Sequence, residues 1–181
     1  MVREYSPGRR QLLINTTELL RLPGTVRPVT AAVPLADVGV IDHRVSGDVD
    51  VDVTLVSSLD DIEVEGTLSV AWSDQCRRCL EPLSAELEIT VHERYVRDPA
   101  PPGTVDGPEE FPLGNGQLDL APMVREEVLL GLPDAPLCRE DCAGICPACG
   151  AELADGPCDC APVVRDERWS VLDQLKLDES R

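Results

Sequence analysis

The sequence predicts an α+β fold: an antiparallel β-meander, barrel-like in its closure, that carries one helix, a C-terminal zinc-binding segment and a short terminal helix. Three observations carry this expectation. Apolar and polar residues alternate in three successive runs between residues 48 and 91, apolar residues recur at helical spacing between 119 and 131, and six of the eight cysteines fall between Cys138 and Cys160.

The first 44 residues read as an arm. Arg9 and Arg10 precede a short apolar stretch, Leu12 to Leu20, suited to a helical turn or two, after which Pro23, Pro28 and Pro34 preclude a long helix. The segment has too few periodic apolar positions to fold alone and is expected to lie along the domain or a partner. Residues 45–135 form the body. Val49, Val51, Val53 and Leu55 face one way while Asp48, Asp50, Asp52 and Thr54 face the other, the period of a half-buried strand. Ile62, Val64, Leu68, Val70 and Trp72 make a second strand with Gly66 as a candidate bulge, and Leu83, Ala85, Leu87, Ile89 and Val91 a third. The sequence CRRC, Cys76 to Cys79, then sits at the hairpin tip between the second and third.

Residues 97–117 read as a linker with five prolines and four glycines. A helix follows, with Asp119 as N-cap, Pro122 in its first turn and Leu120, Met123, Val124 and Val128 on one face, before Gly131 and Pro133 end it. Residues 136–162 are the cysteine-rich segment. In residues 163–181, Trp169, Leu172 and Leu175 mark a short terminal helix.

Composition bounds the function. The 181 residues are 43% hydrophobic but only 3% aromatic, so the core is built of Val and Leu. Sixteen basic residues stand against thirty-four acidic ones, a net charge of −18, and the imbalance is uneven. Residues 1–44 carry six Arg and four acidic residues, leaving ten basic and thirty acidic for the rest. Such a body repels bulk nucleic-acid phosphate and attracts basic partners. Direct RNA recognition would want a basic stripe and stacking aromatics, and only Arg3, Arg9, Arg10, Arg21 and Arg27 of the arm could touch phosphate. The start of the sequence shows no apolar run ending in a small-residue cleavage site, and no stretch approaches membrane-spanning length. A cytoplasmic location with reduced thiols is expected, in which clustered cysteines are metal ligands more often than disulfides.

The motif CPACG, Cys146 to Gly150, points to zinc. Two cysteines separated by two residues on a tight turn aim at one ion, and the following glycine accepts positive φ. Cys146 and Cys149 are joint ligands in this reading, completed by Cys138 and Cys142 or by Cys158 and Cys160. The last two, in an extended strand, face the same side about 7 Å apart. Six thiols exceed one tetrahedral site, so either two are spare or Cys76 and Cys79 join two of them in a second. CRRC admits other readings: a redox pair with thiol pKa values lowered by Arg77 and Arg78, or a polar tip used for contact. His43 and His92 lie apart from any nucleophile, no Walker or Rossmann motif is present, and no active site can be assembled.

Three separated stretches resemble the YceD family of large ribosomal RNA subunit accumulation proteins. CRRCLEPL, residues 76–83, is similar to that family's CxRC hairpin; LDLAPMVREEVLLGLPDAPLC, residues 118–138, to its helix ending in Leu-Pro; and RWSVLDQLK, residues 168–176, to its terminal helix. CREDCAGICPACGAEL fits a cysteine-bearing branch, with Ile145 where Leu is usual and Ala154 where Asn is common. The resemblance spans roughly residues 9–177. It implies a non-enzymatic role in producing the large ribosomal subunit, with the terminal cysteines as reinforcement particular to the branch. Joined to the acidic body, it leads to a basic ribosomal protein or assembly factor as the partner. The alternative is a zinc- or thiol-based regulator that responds to oxidation.

Overall fold

The computed structural model describes residues 6–97, 110–114 and 116–160, together with residues 99 and 168. Its centre is a five-stranded sheet in the order β2-β3-β4-β5-β6: β2 (Val26–Pro34), β3 (Val45–Ser57), β4 (Asp61–Gln75), β5 (Pro82–Val96) and β6 (Glu110–Pro112). All neighbours are antiparallel except β5 and β6. Two three-residue strands, β1 (Leu13–Asn15) and β7 (Gln117–Asp119), pair separately. Three α-helices, α1 (Pro7–Gln11), α2 (Leu35–Val38) and α3 (Ala121–Gly131), and two 3-10 turns, at Leu19–Arg21 and Leu153–Asp155, complete the elements of the described residues.

The three alternating runs are β3, β4 and β5, and they form the expected meander. The barrel does not close: β2 and β6 end the sheet on opposite sides and do not pair with each other. Too few strands surround the core to curl the sheet shut, and α3 covers its inner face instead. The bulge also lies elsewhere. Register runs unbroken through Val53 and Gly66 and shifts between Ser46 and Val49.

The proline-bearing residues 26–34, expected within a loose arm, form β2, in register with β3 over its whole length. Val29, Ala31 and Val33 point inward while Pro28, Thr30 and Pro34 do not. Proline is tolerated here because β2 is an edge strand, where alternate amides have no neighbour to donate to. The apolar stretch 12–20 makes β1 and a 3-10 turn over Leu19–Arg21 where helical turns were expected.

The inner face of the sheet buries Val49, Val51, Val53, Leu55, Val64, Leu68, Ile89 and Val91 against Met123, Val124 and Val128 of α3. The helix presents those residues at i, i+1 and i+5, one stripe of a 3.6-residue repeat. Leu120 occupies the N-cap; Asp119 stands just before it, its carboxylate accepting the Ala121 amide at 3.0 Å and the Arg9 guanidinium at 2.8 Å. Leu132 turns extended ahead of Pro133, which cannot continue the helix. Beyond Pro133 the chain crosses to the far end of β4 and β5. The terminal helix expected around Trp169, Leu172 and Leu175 lies outside the described residues, as does most of the 97–117 linker.

The outer face of the sheet is polar and largely exposed along β3 to β5. On it Asp48, Asp50, Asp52, Glu63, Glu65, Glu86 and Glu88 are exposed among Ser, Thr and Ala. Its basic residues are matched locally: His92 meets Glu65 at 3.1 Å, and Arg94 pairs with Asp61 and with Glu110.

Candidate metal centre

The hairpin tip forms from the sequence outward. Gln75 and Pro82 are the last cross-strand pair of β4 and β5, leaving Cys76 to Glu81 as the connection. The Cys76 amide donates to the Glu81 carbonyl at 2.8 Å, the Leu80 amide donates back to the Cys76 carbonyl at 2.9 Å, and the Arg78 amide donates to the Cys76 Sγ at 3.5 Å. The same turn recurs at CPACG. The Cys146 amide donates to Ala151 at 2.8 Å, Gly150 donates back to Cys146 at 2.9 Å, and the Ala148 amide donates to the Cys146 Sγ at 3.4 Å. Both turns need positive φ at the residue after the second cysteine. Gly150 supplies it at 74°, and Leu80 adopts it at 63°, the one residue other than glycine with positive φ among those described.

Each turn meets a second cysteine pair. The Sγ atoms of Cys76, Cys79, Cys138 and Cys142 lie within 4.8 Å of one another, and so do those of Cys146, Cys149, Cys158 and Cys160. Of the completions left open by the spacing, Cys158 and Cys160 partner CPACG, while Cys138 and Cys142 turn away to join CRRC. Cys76 and Cys142 stand 3.7 Å apart and Cys79 and Cys138 3.6 Å, far beyond a disulfide's bond of about 2.05 Å. Four sulfurs around an ion at about 2.3 Å are separated by roughly 3.8 Å, so the spacing fits a tetrahedral thiolate site.

The thiols are electrostatically crowded. Burial alone would raise Cys76, yet the amides of Cys79, Cys138 and Arg78 bring it down to about 6. Amides of Cys149 and Ala148 likewise lower Cys146 to about 6. Two neighbours resist ionising beside them: burial, then Cys142 and Cys79, push Cys138 up to about 12, and the thiols of Cys149, Cys146 and Cys158 push Cys160 up to about 12. A divalent cation removes that repulsion by accepting all four sulfurs as thiolates.

The arginines of CRRC hold the post-helix segment. Arg77 donates its backbone amide to Pro136 at 2.9 Å and its guanidinium to the Asp134 carbonyl, while Arg78 reaches the Cys142 carbonyl at 2.8 Å. The Arg78 carbonyl accepts the Ile145 amide at 3.2 Å. Gly144 makes this approach feasible, since a Cβ there would stand 3.0 Å from the Arg78 oxygen. Neither role was visible in the sequence; the shared pattern C-x-x-C-x-x-x-L in CRRCLEPL and CPACGAEL was the available signal that the two turns are alike.

Comparison with known proteins bears on the whole arrangement. The model of the family described as large ribosomal RNA subunit accumulation protein YceD matches residues 64–176, from within β4 through both cysteine tetrads. The chain belongs to the YceD family. An uncharacterised protein of Mycobacterium tuberculosis strain H37Rv is 31% identical over 132 residues, covering 72% of this chain. An uncharacterised protein of Mycobacterium leprae is 29% identical over 168 residues, covering 87% of this chain and 76% of its own length. The chain spans 63% of the length of the Mycobacterium tuberculosis relative. No solved structure matches it. Among the described residues of this YceD protein, no helix is long and apolar enough to cross a membrane.

Proposed function

We propose that this YceD protein is a non-enzymatic, cytoplasmic factor that supports accumulation of large-subunit ribosomal RNA by holding a basic ribosomal protein or assembly factor. The observation that carries this reading is the open acidic face of the sheet. Seven exposed carboxylates on β3, β4 and β5 share one surface with short hydroxyl and methyl side chains, a field that attracts cationic side chains. In this reading each tetrad holds one zinc ion, the metal suited to a closed four-thiolate site, and its role is structural.

Titration against a purified basic ribosomal protein of the large subunit tests the proposal. Changing Asp48, Asp50, Asp52, Glu86 and Glu88 to their amides should weaken binding at least about tenfold, with a strong salt dependence in the parent protein. Recovery of ribosomal RNA without any basic protein, unaffected by those substitutions, would overturn it.

A second reading, a thiol-based regulator, draws on one observation: Cys149 is exposed. Under mild peroxide a structural site keeps its metal, whereas a sensor loses it with a matching change in partner binding.

A further inference from the structure

We infer that the chain carries a second binding site, for a phosphodiester of an RNA strand, in the depression between the 3-10 turn at Leu19–Arg21 and the start of β2. This deepens the proposed function by giving the factor a contact to RNA besides its contact to a basic protein. The depression, of about 360 Å³, is lined by Asn15, Thr17, Glu18, Arg21 and Arg27.

Six arginines among the described residues are committed elsewhere. Arg9 pairs with Asp119, Arg44 with Asp42 and Arg94 with Asp61, while Arg77, Arg78 and Arg125 donate to backbone carbonyls. Arg21 and Arg27 converge instead on one concavity and are ion-paired to no carboxylate among the described residues; Arg27 touches only the Asn15 carbonyl, at 3.4 Å. Two guanidiniums beside a threonine hydroxyl match the needs of a phosphate, which accepts charge-assisted hydrogen bonds from a planar fork.

Glu18 narrows the class of ligand. Its carboxylate opposes a compact dianion such as inorganic phosphate but suits a singly charged diester, and it accepts a hydrogen bond from a ribose 2′-hydroxyl. The position in the fold supports the same ligand. Arg27 alternates in phase with Val29, Ala31 and Val33, whose side chains face the core, so it emerges on the side of the sheet opposite Asp50 and Asp52. An RNA strand seated there has the sheet between itself and the acidic field that would repel it.

The test is fluorescence anisotropy of the full zinc-loaded chain with a short single-stranded RNA over a series of salt concentrations. The combined variant Arg21→Ala, Arg27→Ala should weaken binding about tenfold or more and flatten the logarithmic salt slope by about 1.4, the loss of two phosphate contacts to a single strand. Both residues are exposed, so an unchanged melting curve checks the fold. Inorganic phosphate should compete only at far higher concentration than unlabelled RNA. Equal binding by parent and variant, no binding by the parent at low salt, or displacement by inorganic phosphate as readily as by RNA would overturn the assignment. The variants Asp50→Asn and Asp52→Asn, which probe the acidic face, should retain RNA binding while losing the basic protein. Failure of either interaction therefore leaves a reading of the other intact.

Discussion

The two cysteine tetrads share a turn and differ in reach. One joins Cys76 and Cys79, in the connection between β4 and β5, to Cys138 and Cys142, across sequence separations of 59 and 66 residues. The other closes within residues 146–160. The first has two buried thiols, Cys76 and Cys142, and the arginines of CRRC around it; the second has one buried thiol, Cys146, and an exposed Cys149. The same local chemistry therefore serves two purposes. With a metal bound, the long-range site would fasten the tip of a hairpin to the segment that follows α3, while the short-range site would give shape to a stretch of chain with little apolar surface of its own.

The largest expected effect comes from breaking the long-range site. If the metal is treated as a cross-link, closing a loop of about 60 residues contributes about 4 kcal/mol through the entropy of the unfolded chain, against about 3 kcal/mol for about 15 residues. Cys76→Ser with Cys142→Ser should remove one zinc by native mass spectrometry, lower the free energy of unfolding measured in urea by about that amount, and expose the amides of residues 76–80 and 133–146 to hydrogen exchange. Cys149→Ser should also remove one zinc, but with exchange confined to residues 144–160 and β3 to β5 still protected. Equal spread of exchange in the two variants would erase the distinction drawn between the sites.

Acid should affect the two sites alike. Metal uptake at neutral pH must expel protons from thiols such as Cys138 and Cys160, both held up at about 12, so affinity rises with pH. Below about pH 6, Cys76 and Cys146 protonate as well, each adding about a tenfold loss of affinity per further pH unit, or about 1.4 kcal/mol. Zinc release followed with a colorimetric indicator from pH 7.5 downward should show both ions leaving together. A bulky chelator at pH 7.5 should instead take the ion beside Cys149 first, because access and not protonation separates the sites.

The smallest effect concerns the turns themselves. Leu80 holds a φ of 63° that Gly150 adopts freely in the matching position, and left-handed backbone costs a bulky residue roughly 1–2 kcal/mol. Leu80→Gly gives part of that back as chain entropy, so a gain of about 0.5–1 kcal/mol in the unfolding free energy measured in urea is expected, with no change in zinc content.

Much of this was legible in the sequence, and the failures have physical causes. Alternation located β3, β4 and β5 and put CRRC at their tip, because a half-buried strand repeats every two residues whatever surrounds it. β2 was hidden by Pro28 and Pro34, which read as breakers until the neighbours show that the strand lies at an edge. β1 and β7, three residues each, are too short to show a period. CPACG announced a turn whose two thiols could share a metal, but which thiols complete each tetrad depends on where the chain goes after α3. Spacing along the sequence carries no record of that path, since it is decided by the packing of Met123, Val124 and Val128 on the sheet.

Arg77 and Arg78, with the tetrad between them and the post-helix segment, have a mechanical consequence. β4 and β5 are each 15 residues long, on the order of 50 Å from end to end. A two-stranded ribbon of that length clamped at one end only would sway at the other. Here the inner face rests on α3 and the guanidiniums of Arg77 and Arg78 tie the tip to the post-helix segment, and a metal in the tetrad would add a second anchor that makes the hairpin a beam supported along its span. A load applied near the tip would then pass to the helix instead of bending the strands, holding the cysteine end and the Arg27 end of the sheet at a fixed separation.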